Sequence, residues 1–491
     1  MDTKSPLPPE VWEHLPVDAQ EYIRALDARV AVLESMVQRL QATVQHLTEQ
    51  LPQDSRTSSR PPSSDPPQAT GKRPRREPSG RRPGGQPGHE GQARALVPVE
   101  VVEVVIPVKP TWCPRCQHLL CGDDPQPHRH QVTESPPVTP VVTEYQLHRL
   151  VCPVCGETTR AALPAGVPTG GFGPRVQAIA AWCTGAYHLS KRTTQSVLED
   201  LFGVALSLGT LAHLEQATVQ AVAEPVAEAR RYVQPQPAAY LDETGWREGP
   251  PRAWLWTAVT AGVTVFVVRL SRSSKVAQEL LGERFWGWLV TDRWSAYSWY
   301  PPWRRQLCWA QLWRDIEAMI ARGGQSREIG EALQAQAHQM FHWWHRVRDG
   351  TLAHASFGTY MRPIRQEVER LLEVGQTCGV PKTEGVCRDI LKRRQALWTF
   401  VRHEGVEPTN NAAERAIRPG VLWRKGRFGT HSPEGSRCVE AMMTIVATLQ
   451  QQHCNVLDYL TAACQAALCD EPAPSLLPTP DQLHALLRPA A

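Results

Sequence analysis

From residue 238 the chain reads as a series of short apolar strands: "AAYLDETGW", "AWLWTAVT" and "VTVFVVRL". A helical stretch, "SKVAQELLGERF", follows, and then another strand in "GWLVTDRWSAY". Short runs rich in β-branched and aromatic residues, bounded by turn residues, specify strand rather than helix. Three strands, a helix and a further strand call for an α/β layer architecture, because the helix must bury its apolar stripe against a sheet. The first and last of these strands each carry a carboxylate at or near the end, Asp242 in "YLDETGW" and Asp292 in "WLVTDRW". Strands are depleted in Asp, so packing alone is a poor reason for either.

The element order is the opening of a ribonuclease H-like fold, although several α/β folds share it. Two Asp on neighbouring strands could share divalent cations, and a third carboxylate normally completes such an oxygen shell. The stretch "EPTNNAAERAIRPG" (407–420) supplies a candidate. Read as a helix over 410–418, capped by Thr409 or Asn410 and stopping at Pro419, it puts Ala413, Ala416 and Ile417 on one face. Small side chains there permit close approach to a sheet, with Glu414 beside that face and Arg415 and Arg418 free to meet phosphate. Glu243 and Glu407 are alternatives for the acidic role.

The rest of the chain divides by composition. At 491 residues it exceeds one ordinary domain, and 42% hydrophobic residues suffice for sizeable cores. Residues 1–51 form an N-terminal helix with a heptad: Ile23, Leu26, Val30, Leu33, Val37, Leu40, Val44, Leu47 and Leu51 alternate steps of three and four. Leu at every d position and β-branched residues at all a positions but the last favour a parallel two-stranded coiled coil. Residues 52–95, rich in Pro, Ser and Gly, cannot bury enough surface to offset ordering and are expected to be a disordered linker. Lys72, Arg73, Arg75, Arg76, Arg81 and Arg82 make it basic, a candidate arm for DNA phosphates. The net charge of only +4 leaves any nucleic-acid role to such local clusters.

Residues 96–165 carry two C-x-x-C pairs, Cys113/Cys116 and Cys152/Cys155. Four thiolates match the closed shell of structural zinc better than a redox pair, since no thioredoxin-like pattern surrounds them. Residues 96–110 read as a strand, and "VVTEYQLHRLVC" (141–152) as a hairpin filling the space between the knuckles. Cys121, His128 and His130 read as surface or supporting residues. Residues 166–235 read as helices, with a break at Gly203 and Ser207 and Thr210 opening the next helix, a spacing compatible with a DNA-reading helix-turn-helix. The α/β unit takes residues 236–435 with a helical insertion at about 311–400, and residues 436–491 form a helical tail.

The start "MDTKSPLPPEVWEHLP" has neither the basic nor the apolar region of a secretory signal. The expectation is a reduced, cytoplasmic setting for the 13 Cys. The most apolar run, residues 253–268, fits two strands and a turn, so no membrane segment is expected. No G-x-x-x-x-G-K-[ST] loop is present, so no ATP requirement is expected.

"YLDETGW", "VTDRWSAY", "RRQLCWAQLWRD" and "EPTNNAAERAIRPGVLWRKGRFGTHSPEG" together resemble the signature blocks of the insertion-sequence sixty-six family of bacterial transposases. The heptad, the "SSRPPSSD" linker and the four-cysteine module extend the resemblance over nearly the whole chain. It implies a ribonuclease H-like catalytic domain with an Asp-Asp-Glu triad at Asp242, Asp292 and Glu414, holding Mg2+ (or Mn2+). The 122 positions between Asp292 and Glu414 fit a helical insertion between the second and third acids, as the resemblance implies. It further implies a bacterial, nucleoid-associated DNA transposase that cuts its element's ends and joins the 3′ ends to target DNA. Arg415, Arg418, Arg424, Lys425 and Arg427 would contact phosphate, the coiled coil would pair protomers, and small accessory proteins of the same element would be partners. Trp294 and Trp423, inside the catalytic blocks, are the two of 17 Trp singled out as candidates for base stacking. Relatives usually read "CWAHL" where this chain has Gln311, and His431 stands where Gln is expected. Gln cannot take up a proton near neutrality as His can, so a catalytically impaired DNA-binding relative is the alternative reading. A host zinc-binding nuclease is a third.

Overall fold

The computed structural model describes residues 9–12, 14–50 and 95–487. The six basic residues from Lys72 to Arg82, and Leu51 of the heptad, lie outside the described residues. After a short α1 (Pro9–Trp12), the heptad region forms one 34-residue helix, α2 (Val17–Gln50). Leu26, Val30, Leu33, Val37 and Leu40 of its seam are exposed in the single chain, Leu33 at 58% and Leu40 at 61%, and the side chains of Val44 and Leu47 lie outside the described residues.

Between the helices and the sheet, β1 (Arg149–Val151) pairs antiparallel with β2 (Thr158–Arg160). This hairpin turns around the second cysteine knuckle, eight residues beyond the expected 141–152 hairpin at its far end. The strand expected over 96–110 does not form. Only a short 3-10 turn, Val99–Val101, occurs there, and Val104, Val105, Ile106 and Val108 are exposed. High β-propensity makes a strand only when a partner takes its backbone groups, and none of the described strands pairs with this run.

Helices α3 (Pro174–Gly185), α4 (Lys191–Phe202), α5 (Leu208–Ala221) and α6 (Ala223–Val233) follow. The breaks stand where the residues indicated. Gly203 ends α4 with φ 64°, and Ser207 Oγ accepts from the Thr210 N–H at 3.1 Å; the start of α4, not anticipated, is capped by Ser190 Oγ, which accepts from the Thr193 N–H at 2.9 Å.

The sheet contains β3 (Ala238–Arg247), β4 (Arg252–Val259), β5 (Thr264–Arg269), β6 (Trp288–Thr291) and β7 (Arg305–Leu307), with α7 (Ser274–Leu281) between β5 and β6. Its order is β5-β4-β3-β6-β7, antiparallel from β5 to β3 and parallel from β3 to β7. The insertion is helical as expected: α8 (Trp309–Arg322), α9 (Gly324–Arg348), α10 (His354–Gly375), α11 (Pro381–Lys392) and α12 (Thr399–Arg402). Its core of Leu312, Ile316, Leu333, Met340, Phe357 and Ile364, among others, is shared with Val290 and Leu307 of the sheet. The chain closes with α13 (Asn411–Arg427), α14 (Pro433–Gln451), α15 (Val456–Leu468) and α16 (Pro480–Leu487). The expected mixed α/β architecture is therefore present, and no helix among the described residues is long and apolar enough to cross a membrane.

Helix α13 runs through Pro419 rather than stopping at it. Proline removes one N–H from the ladder, but Arg415, Arg418 and Pro419 are exposed, so the freed carbonyl can turn to water. The opposite side of α13 is pressed onto the sheet, where Ala413 and Ile417 are buried. A Cβ on Gly420 would stand 3.1 Å from Met443 Cε and closer still to Leu255 Cδ2.

Candidate active site

The parallel register of β3 and β6 sets the site. Tyr240 lies opposite Val290, and two residues further in the same register Asp242 meets Asp292, just past the last residue of β6. A step of two keeps each residue on the same face as its predecessor. Tyr240, Asp242, Thr244 and Trp246 thus share the face that α13 covers through Ile417 and Trp423.

Asn410 delivers the third acid. Its side-chain Nδ2 donates to the Leu241 carbonyl at 2.7 Å, beside Asp242, rather than capping its own helix. Its carbonyl accepts the Glu414 N–H at 3.0 Å, so Glu414 stands one turn above that anchor. The start of α8 converges there as well, with Cys308 Sγ 3.8 Å and Gln311 Nε2 3.5 Å from Glu414 Oε1. The residue that departs from the expected His therefore faces the third acid directly.

Burial, and then the charges of Glu243, Asp292 and Glu414, push the Asp242 carboxyl well above its ordinary range. Burial also raises Asp292, against the opposing pull of the Trp294 backbone N–H and of Arg272, Arg305 and Arg293. Acids crowded in this way need protons or a cation to relieve them. All three supply oxygen, and Asn410 Oδ1, fully buried, has no hydrogen-bond partner. In kind, this donor set fits a hard divalent cation. The side chains are not gathered as a ligand shell, however. Among the described residues no three His, Cys, Asp or Glu form a group that could hold one ion. Asp242 Oδ1 accepts from the Glu243 N–H at 2.9 Å and Asp292 Oδ1 from the Trp294 N–H at 2.8 Å.

Of the alternative acids, Glu243 is occupied elsewhere. Glu243 points to the opposite face of β3, where Arg272 Nε (2.9 Å) and Nη2 (2.7 Å) hold one oxygen and the Tyr297 hydroxyl donates to the other. Burial and then Asp292 raise its carboxyl to about 7. Glu407 stands beside Tyr240, whose hydroxyl accepts its backbone N–H at 3.2 Å and is raised by burial and then by the Glu407 charge. Arg293, next to Asp292, bridges Asp315 of α8 at 2.6 Å and Asp389 of α11 at 3.1 Å, tying the site's strand to the insertion. Nothing in the isolated tripeptide "TDR" signalled that tie.

Of the proposed phosphate contacts, Arg415, Arg418 and Lys425 are exposed. Arg424 is half-buried and donates to the Gly245 carbonyl and, at 3.3 Å, to Thr244 Oγ1, so it ties α13 to β3. Arg427 is half-buried too, with Nη2 enclosed and without a hydrogen-bond partner. Trp423 is only 7% exposed, stacked on His188 at 4.4 Å, and is a packing residue. Trp294 is 39% exposed.

The two cysteine knuckles have the same local geometry. The Cys113 N–H donates to His118 O and its carbonyl accepts the Gln117 N–H; Cys152 does the same with Glu157 and Gly156. Gln117 and Gly156 both take positive φ, 56° and 73°. Backbone N–H groups of Cys116 and Arg115 lower the Cys113 thiol, and those of Cys155 and Val154 lower Cys152, toward the thiolate that metals bind. Each knuckle supplies two thiols on the same kind of turn, but among the described residues the four thiols are not brought together.

Residues 8–95 match a family of unknown function (DUF6444). A 206-residue stretch is 27% identical to the uncharacterized protein y4qI of Sinorhizobium fredii (strain NBRC 101917 / NGR234), covering 38% of this chain and 36% of that protein. The chain thus spans about a third of that relative's length. The model of the Transposase IS66 family matches residues 169–438, more than half of the chain and a span that contains Asp242, Asp292 and Glu414. The chain belongs to the IS66 family of transposases.

Proposed function

We propose that this chain is a DNA transposase that binds the ends of its own insertion sequence, cleaves the phosphodiester backbone there and joins the 3′ ends to target DNA. The neighbourhood of Asp242 in the middle of β3, Asp292 just past β6 and Glu414 on α13, whose charges bear on Asp242, carries this reading. The sheet order supports a ribonuclease H-like domain over residues 236–435. Asp242, Asp292 and Glu414 would hold Mg2+ or Mn2+, which when bound would supply charge neutralisation and an activated nucleophile for phosphoryl transfer. Asn410 sets the height of Glu414 above β3, and Arg293 holds the loop after Asp292 against the insertion. Arg415, Arg418 and Lys425, with the basic linker, would neutralise phosphates, making binding steeply salt-dependent. Zinc on Cys113, Cys116, Cys152 and Cys155 would lock the 96–165 module. The helices of 166–235 would read the element's end, the coiled coil would pair two protomers, and accessory proteins of the element would assist.

The test is strand cleavage on DNA carrying the gene's own flanks, with Mg2+ or chelator. Cleavage at the boundary should vanish with chelator and fall on the order of 10³-fold in Glu414→Gln, since ligands of one site act as a unit. Cleavage that survives both would refute the triad. Gln311 facing Glu414 at 3.5 Å favours one second reading, a DNA-binding protein impaired in catalysis. In that case wild type binds the flank without cutting it, and Gln311→His restores cleavage.

A further inference from the structure

We propose that Trp294 and Arg272 form a fixed platform that stacks an unpaired nucleobase beside the cleaved phosphodiester. The inference rests on the reading of Asp242, Asp292 and Glu414 as the cleavage site.

Two residues after Asp292, the chain presents an indole that is 39% exposed although its position is held from two sides. Its backbone N–H is bonded to Asp292 Oδ1 at 2.8 Å, which fixes the ring's root against the acid itself. The Arg272 guanidinium lies over the ring, 4.0 Å from its centroid. Arg272 is anchored in turn by buried Glu243, through Nε at 2.9 Å and Nη2 at 2.7 Å. The second oxygen of Glu243 accepts from buried Tyr297. A buried carboxylate, a buried phenol and a cation thus stand behind one half-exposed aromatic ring.

The indole exceeds what holding Asp292 needs, because the backbone N–H does so and any residue at 294 but proline would supply it. A large aromatic left in water at a site's rim costs free energy unless something covers it. The chemistry that fits is a flat π-face with an adjoining phosphate. The indole supplies a stacking surface indifferent to base identity, and the guanidinium a positive charge beside it. A base still inside a duplex has no free face, so the occupant is a nucleotide unstacked at the strand end. Trp423, the other tryptophan of the signature blocks, is buried under His188 and cannot serve.

The experiment uses the full chain and a pre-nicked duplex of the gene's own flank. It carries 2-aminopurine, opposite an abasic position, at the nucleotide beside the nick. Fluorescence is read at saturating protein, with Mg2+-dependent cleavage of the intact flank measured in parallel. Wild type should quench the probe, Trp294→Ala should leave it at least about twofold brighter because the stacking partner is gone, and Trp294→Phe should restore most of the quenching. Arg272→Gln, which keeps the ring but removes its backing charge, should quench less than wild type. Equal probe fluorescence in wild type and Trp294→Ala, with wild type cleaving normally, would overturn the platform and leave the cleavage site standing. Quenching that depends on Trp294 in a protein that never cleaves would sink the cleavage reading and keep the base site.

Discussion

Asp242 and Glu243 are neighbours in sequence and opposites in space. Strand alternation turns Asp242 toward α13 and the other acids, and Glu243 toward Arg272 and Tyr297. The pair looks interchangeable as a string, and only the direction of the side chains separates a candidate ligand from the anchor of an arginine. His188 is a second residue whose role depends on its surroundings. It stacks on Trp423, and burial, with Arg427 nearby, pulls its pKa to about 4 from 6.5. The unfolded chain takes up a proton below about 6.5 and the folded one does not, so stability is full above that pH and lost as pH falls toward 4. A melting temperature that falls between pH 6.5 and 4.5, with a shallower fall in His188→Asn, is the expected outcome. Parallel slopes in the two proteins would contradict it.

At the scale of elements, α14 closes the outer edge of the sheet. Thr448, Thr444 and Glu440 accept the N–H groups of Thr264, Phe266 and Val268 at 3.1, 3.1 and 2.7 Å. Four residues of helix advance about 6 Å and two of strand about 6.6 Å, so the spacings stay matched over three bonds. An edge strand that would otherwise offer free donors is covered by side chains. Thr444→Val keeps the shape and strands the buried Phe266 N–H. Denaturant unfolding should show a loss of about 1–3 kcal/mol, and a change below about 0.5 kcal/mol would mean that the edge is not held this way. The break at Gly203 and the cap at Ser207 were legible beforehand because a helix end is a local problem. The 96–110 strand was misread because pairing is not local. Pro419 was misread because a proline on the solvent side of a packed helix costs less than in an isolated one.

Across the whole molecule, three stretches far apart in the chain meet at one point: Leu241–Asp242, Cys308–Gln311 and Asn410–Glu414. The insertion between Asp292 and Glu414 shares a core with Val290 and Leu307 of the sheet and is tied back by Arg293 to Asp315 and Asp389. Among the described residues, α2 leaves Leu26, Val30, Leu33, Val37 and Leu40 of its seam exposed. A second copy would bury it in register. Sedimentation of the full chain should give a dimer that Leu33→Lys converts to monomer, and an unchanged dimer would place the contact elsewhere.

The sequence alone determined the features that depend on near neighbours: the single long helix under the heptad, the turns of the cysteine knuckles, the helix breaks at Gly203 and Ser207 and the succession of strands from 238, though Asp242 stands in the middle of its strand rather than near the end. Those follow from periodicity and turn chemistry, both readable from residues close together in the chain. Tertiary structure alone decided that Asn410 hangs α13 from the Leu241 carbonyl and that Arg424 packs where a phosphate contact was expected. It also decided that Trp294 stays open while Trp423 is covered, and that Gln311 faces Glu414. Each of these is a contact between segments separated by dozens to hundreds of residues. Side-chain direction and burial there are set by the packing of sheet, insertion and α13, which no local pattern encodes.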